Sequence, residues 1–133
     1  MAKTTILIID DHADTRLLVG ARLKKHGYDT AFASDGLQAI AAARQTQPDA
    51  ILLDLGLPGG NGFIVLERLK TNTTLRNIPV IILTADESPE SELKGLEAGA
   101  VAFLHKPVQE EALIAAVECA VSGVAETDAR LQH

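Results

Sequence analysis

Five polar side chains in this sequence each follow a short apolar run. Asp10 and Asp11 come after Ile6-Leu7-Ile8-Ile9, Asp54 after Ala50-Ile51-Leu52-Leu53, and Thr84 after Val80-Ile81-Ile82-Leu83; Lys106 stands shortly after Val101-Ala102-Phe103-Leu104. Singly, each has an ordinary explanation: an Asp pair makes a turn and caps a helix, Asp54 belongs to loop chemistry ahead of Pro58, Thr84 bonds to backbone, and Lys106 is a surface lysine. Brought together they have another. Asp10, Asp11 and Asp54 would repel one another and resist joint ionisation. A hard divalent cation resolves that conflict, and Mg²⁺ suits an open oxygen site that keeps some of its waters. A carboxylate beside such an ion can attack phosphorus to form an acyl phosphate. The phosphoryl oxygens then need neutralising contacts, which Mg²⁺, the Lys106 ammonium and the Thr84 hydroxyl would supply.

These positions converge only if the runs are strands of one sheet. Thr5–Ile9, Ala50–Leu53 and Val80–Leu83 are continuously apolar, the mark of central strands buried on both faces. Thr30–Ala33 and Val101–Leu104 are shorter and less apolar, as edge strands are. Amphipathic stretches lie between them. Leu17, Leu18, Ala21 and Leu23 share one side of a first helix that ends at Gly27, a left-handed cap. Leu37, Ile40 and Ala41 mark a second, which stops before Pro48. Asn61 caps a third, carrying Phe63, Leu66 and Leu69 or Lys70. Ser88-Pro89-Glu90 starts a fourth that Gly99 ends, and Glu110 and Glu111 open a fifth with Leu113, Ala116, Val117 and Ala120 inward. Strict alternation of strand and helix forces a parallel sheet with helices on both faces, one doubly wound α/β domain. Such sheets bind ligands beyond the carboxyl ends of their strands, where the polar residues fall. Capping alone does not require that convergence.

Composition narrows the function further. The chain of 133 residues carries 12 Lys+Arg against 18 Asp+Glu, a net charge of −6, with 47% hydrophobic residues. That fits one globular domain and argues against direct nucleic-acid binding or an anionic membrane surface. No apolar run approaches the roughly 20 residues of a membrane helix, and the apolar stretch from Ile6 ends at Asp10, which excludes a signal peptide. The single cysteine, Cys119, excludes an internal disulfide and reads as a small core residue; a cytoplasmic protein is the expectation. His12, His26, His105 and His133 are scattered and none pairs with another at ligand spacing; His12 follows the acidic pair, at the rim of a metal site or, more simply, in the first turn of a helix. Residues 122–133 lose the pattern and read as a C-terminal tail or linker stub.

The segments Ile-Leu-Ile-Ile-Asp-Asp, Ile-Leu-Leu-Asp-Leu-Gly-Leu-Pro-Gly-Gly-Asn-Gly, Ile-Pro-Val-Ile-Ile-Leu-Thr-Ala and Phe-Leu-His-Lys-Pro occur in that order. In sequence and spacing, from about Lys3 to Val121, the chain resembles the response-regulator receiver domain of two-component signalling. The resemblance implies a flavodoxin-like (βα)5 domain over residues 1–121 with strand order 2-1-3-4-5. It makes Asp54 the phosphoacceptor and places Mg²⁺ on Asp11, Asp54 and the Gly56 carbonyl, with Asp10 acting largely through water. Thr84, the Ala85 N–H and Lys106 would contact the phosphoryl group, and Lys106–Pro107 matches the family's cis peptide. Thr84 and Phe103 would be the switch, changing the surface of the fourth helix, fifth strand and fifth helix. The implied partners are a sensor histidine kinase or histidine phosphotransfer protein and a downstream protein effector, with a homodimer possible on phosphorylation. Such a receiver takes part in its own phosphorylation and dephosphorylation but turns over no metabolite.

Some positions depart from the family pattern. Gly56 stands two residues after Asp54 and Asp86 two after Thr84, positions that in the family govern access of attacking water. Gly56 leaves the site open, while Asp86 can repel or orient water. Gly59-Gly60 frees the loop or simply serves its turn geometry. A haloacid-dehalogenase-like phosphatase would need a second Asp where Gly56 stands. A flavin or nucleotide domain would need a glycine-rich loop where Asp10 and Asp11 stand. A receiver kept only for its surfaces would not need the whole set. The start at Met1 and the unpatterned tail favour a stand-alone protein over a receiver cut from a longer regulator.

Overall fold

The computed structural model describes residues 3–57 and 62–123. Five strands, β1 (Thr5–Ile9), β2 (Asp29–Ala33), β3 (Ala50–Leu53), β4 (Val80–Thr84) and β5 (Ala102–His105), alternate with five helices. The helices are α1 (Ala13–Lys25), α2 (Gly36–Thr46), α3 (Gly62–Thr71), α4 (Pro89–Glu97) and α5 (Glu110–Ser122). The strands form one parallel sheet in the order β2-β1-β3-β4-β5, as expected. Every residue of β3 and β4 is buried, so two apolar layers sandwich the sheet. Leu7, Ile9, Ile51, Leu53 and Ile82 point into one layer with α2 and α3. Ile6, Ile8, Leu52, Ile81 and Leu83 point into the other with α1 and α5. The period-two alternation of a strand divides each run between the layers. Among the described residues no helix is long and apolar enough to cross a membrane.

The helix ends follow their sequence signals. Gly27 takes φ +91° beyond α1 and Gly99 φ +111° beyond α4, conformations that favour glycine. Ser88 Oγ accepts from Ser91 N at 3.2 Å, with Pro89 in the first turn of α4. Asp35 caps α2 by accepting from Gln38 N at 2.8 Å, a cap not singled out in the sequence. Asn61 and the Gly59-Gly60 pair lie outside the described residues.

In two helices the inward face is only partly the expected one: Leu23 of α1 is buried and Ile40 of α2 packs partly buried against the core, as expected, but other expected residues do not. Leu17 and Leu18 of α1 are exposed, as is Ala21, while Val19, Gly20 and Leu23 are buried. In α2, Leu37 is 84% exposed and Ala39 and Ala43 face the core. At Gly20, Ala39 and Ala43 small residues take these contacts and let the helix axis approach the sheet. A Cβ on Gly20 would come within 3.1 Å of the Phe32 ring. β5 begins one residue later than expected, leaving Val101 exposed. In α5, Leu113 and Val117 are buried as expected and Ile114 joins them, with Ala116 and Ala120 partly buried against the same layer. Cys119 is half-buried on that helix.

The tightest approach lies at the start of α3. A Cβ on Gly62 would sit 2.5 Å from Leu55 Cα and 2.6 Å from Asp54 O, both backbone atoms. On Gly95 of α4 it would meet only the end of a side chain, Ile82 Cδ1, at 2.5 Å. Overpacking costs about 1–3 kcal/mol, more where the neighbour cannot turn aside. Gly62→Ala is therefore expected to lower the urea midpoint more than Gly95→Ala does; equal losses would show that the loop after β3 yields as readily as a side chain.

Candidate functional site

The sheet ladder continues past the strand ends and fixes the polar residues beyond them. Asp10 N donates to Ala33 O at 3.0 Å, Asp54 N to Ile9 O at 2.9 Å, and Lys106 N to Thr84 O at 2.8 Å. Asp10, Asp54 and Lys106 thus hang from backbone as well tied as the strands themselves. Asp10 is 2%, Thr84 3% and Asp54 4% exposed, all at the carboxyl edge of the sheet. Asp11 stands outside them at the rim.

Electrostatics holds the cluster together. Lys106 Nζ lies 2.7 Å from Asp10 Oδ2 and 3.3 Å from Asp54 Oδ2. The first contact is an ion pair rather than an aligned hydrogen bond, since Asp10 Oδ2 has no hydrogen-bond partner in good geometry. Burial works against the Lys106 charge. The close contact with Asp10 and the negative charges of Asp54 and Asp10 outweigh it, so the ammonium titrates above its ordinary value. Gly56 N donates to Asp54 Oδ1 at 3.0 Å. A Cβ on Gly56 would begin 3.6 Å from that oxygen, so glycine leaves the Asp54 carboxylate open on that side.

His12 completes the group, at the rim of the acidic pair it follows, the less simple of the two positions its sequence context allows. Its backbone N–H donates to Asp10 Oδ1 at 2.8 Å, which folds the turn back on itself. The ring Nδ1 then stands 3.1 Å from Asp10 Oδ1, 3.3 Å from Asp11 Oδ1 and 3.9 Å from Asp54 Oδ2. One donor atom from each of Asp10, Asp11, His12 and Asp54 lies within 4.8 Å of all the others. Three carboxylates against one ammonium leave an excess of negative charge. That donor set fits a divalent cation.

Thr84 and Phe103 stand beside this cluster rather than in it. Thr84 Oγ1 accepts from Asp86 N at 3.3 Å. The Asp86 carboxylate in turn accepts from Ser88 N and Ser91 Oγ; the bonds from Ser91 and Ser88 hold it below the usual carboxylate range. Asp86 is engaged with the entry to α4, and Ala85 beside it is exposed. Phe103 is half-buried, its ring edge 3.5 Å from where a Gly95 Cβ would be and its centroid 5.3 Å from that of His105. The Lys106–Pro107 bond is cis, as expected.

The raised Lys106 value fixes the sign of a pH effect. Its stabilisation is complete below the ordinary lysine value of about 10.4 and is lost as pH rises through the higher folded value. Lys106→Met should therefore lower stability to urea at pH 7 and flatten the loss that sets in above about pH 10. An unchanged alkaline profile would mean that the pair contributes nothing to stability.

Comparison with known proteins agrees with this architecture. The family model described as response regulator receiver domain matches residues 6–118. Response regulator PleD of Caulobacter vibrioides is 43% identical over 113 residues, covering 84% of this chain and 25% of PleD. The chain thus spans about a quarter of the length of that relative. Protein PilH of Pseudomonas aeruginosa is 36% identical over 118 residues, covering 89% of this chain and 98% of PilH. The crystal structure of a putative response regulator from Chloroflexus aurantiacus superposes with a TM-score of 0.87 at 28% identity, over 91% of this chain and 99% of that one. With its strand order, its acidic edge and its matched residues in agreement, the chain belongs to the response regulator receiver domain family.

Proposed function

We propose that this domain accepts a phosphoryl group on Asp54 from a histidine kinase or histidine phosphotransfer protein and passes the change to a protein effector. The carrying observation is the placement of Asp54. Its buried carboxylate closes the end of β3, open beside Gly56 and 3.3 Å from the Lys106 ammonium. Mg²⁺, held by Asp11, Asp54 and the Gly56 carbonyl with Asp10 behind, would neutralise charge on the transferring group. An Asp54 oxygen attacks phosphorus in line. The O–P bond forms as the P–N bond of a phosphohistidine, or the P–O bond of acetyl phosphate, breaks and the donor departs. Lys106, Thr84 and the Ala85 N–H then face the new phosphoryl oxygens.

The same geometry supports a switch. In drawing toward the phosphoryl group, the Thr84 hydroxyl releases Asp86 N, and Asp86 is bonded to Ser88 and Ser91 at the first turn of α4. Phe103, packed on Gly95 of α4, is placed to follow. The change is local and electrostatic, and the element it biases is the surface of α4, β5 and α5. With Phe rather than Tyr at 103 the signal passes by packing, since the ring has no hydroxyl. Dimerisation through that surface on phosphorylation belongs to the same proposal.

Intact mass after incubation with Mg²⁺ and acetyl phosphate tests the acceptor. One added phosphoryl group is expected in the wild type and none in Asp54→Asn; an equal adduct in both would assign the chemistry elsewhere. For the switch, Thr84→Val should bind beryllofluoride yet lose most of the amide shifts that the wild type shows in α4. Shifts of wild-type size would remove Thr84 from the path.

A further inference from the structure

Lys106 has a long flexible stem, so the place of its ammonium depends on how the backbone beneath it is held. On one side the Lys106 N–H donates to Thr84 O at 2.8 Å. On the other, Pro107 has no N–H and adds no tie of that kind. Arg22 of α1 supplies one: its Nη1 donates to Val108 O at 2.7 Å, across 86 residues of chain. We infer that Arg22 is a positioning residue for Lys106, clamping the segment between β5 and α5 so that the ammonium stays aimed at Asp54. The inference rests on the phosphoacceptor function proposed above.

The guanidinium is itself held in place. The Arg22 side chain is only 25% exposed, and its Nε stands 3.9 Å from Glu110 Oε1 in the first turn of α5. Lys25 Nζ and His26 Nε2 converge on the other Glu110 oxygen at 3.2 and 3.3 Å. The bonds from His26 and Lys25 keep the Glu110 carboxyl below the usual range. Of these three basic groups, Arg22 is the one that passes beyond the carboxylate to the loop backbone. A link that served only to fasten α1 to α5 would not have to reach that carbonyl, since Lys25 and His26 fasten the helices without it. The Val108 side chain packs partly buried against the apolar layer of α1 and α5. Side chain and carbonyl of one residue are thus both fixed, two positions from Lys106. Such precision matters for a group that must meet a phosphoryl oxygen, because a misplacement of about 1 Å can cost as much as about 100-fold in rate.

The test uses the full chain with isotopically labelled lysine, its ammonium nitrogens followed by magnetic resonance; the signal lost in Lys106→Met belongs to Lys106. That signal should shift and broaden in Arg22→Met. It should stay in place in Lys25→Met, which loosens Glu110 but not Val108. With Mg²⁺ and acetyl phosphate, followed by intact mass, Arg22→Met should lower the rate at saturating donor about tenfold. The half-saturating donor concentration should move less than about twofold, and Arg22→Lys, which restores a donor, should recover most of the rate. In a Lys106→Met background the cost of Arg22→Met should shrink to less than about twofold, because the group it positions is gone. An unmoved Lys106 signal in Arg22→Met, or equal rate losses in both backgrounds, would overturn the inference. If the wild type takes up no phosphoryl group, the phosphoacceptor reading fails and the Lys106 signal alone decides the clamp. Should Arg22→Met not fold, Arg22→Gln, with a stem too short to reach Val108 O, takes its place in every comparison.

Discussion

Two carboxylates buried at the ends of neighbouring strands cannot both stay charged without a cation between them. Asp10 and Asp54 are in that position, and much of the molecule is arranged around the requirement. Lys106 meets it from β5, reaching past β4 to touch both. Removing one partner of a buried pair is strongly destabilising, because the remaining charge is left without compensation. The strand order is therefore an electrostatic device as well as a packing one, bringing an ammonium from the last strand to acids from the first and third.

Rigid and responsive parts meet at this edge. Strand-like backbone bonds hold Asp10, Asp54 and Lys106, and the Gly62 backbone is jammed against Asp54 O. On the other side, Thr84 leads to α4 through short side-chain links: one bond to Asp86, and from Asp86 to Ser88 and Ser91. Side-chain links of this kind exchange with water at little net cost, whereas the ladder cannot. The connections from this edge to α4 are therefore the weaker ones.

Much of this was legible in the sequence. Continuous apolar runs ending in Asp, Asp, Thr and Lys fixed the parallel sheet and which edge carries chemistry, since burial on both faces leaves polar groups only at strand ends. Helix faces were less legible. Leu37 with Ile40 and Ala41 has the same spacing as a buried stripe, yet Ala39 and Ala43 take the core contacts, where small residues permit a closer approach. The place of the His12 ring was left open for a different reason: it depends on a turn in which its own N–H bonds back to Asp10 Oδ1, and residue type and spacing do not encode the direction in which the ring then points.

The site draws its acids from positions 10, 11 and 54 and its ammonium from position 106. A chain made from its N-terminus exposes the acids long before the lysine exists. Until β5 docks beside β4, the edge lacks the Lys106 ammonium, and only the Arg16 guanidinium, which donates to Asp10 O at 2.7 Å, brings positive charge near it. Completion of the fifth strand is thus one event with two results: it closes the sheet, and it brings the edge its ammonium. An incompletely synthesised or truncated domain would lack both at once, so a partner that reads this edge would also distinguish a finished domain from a fragment.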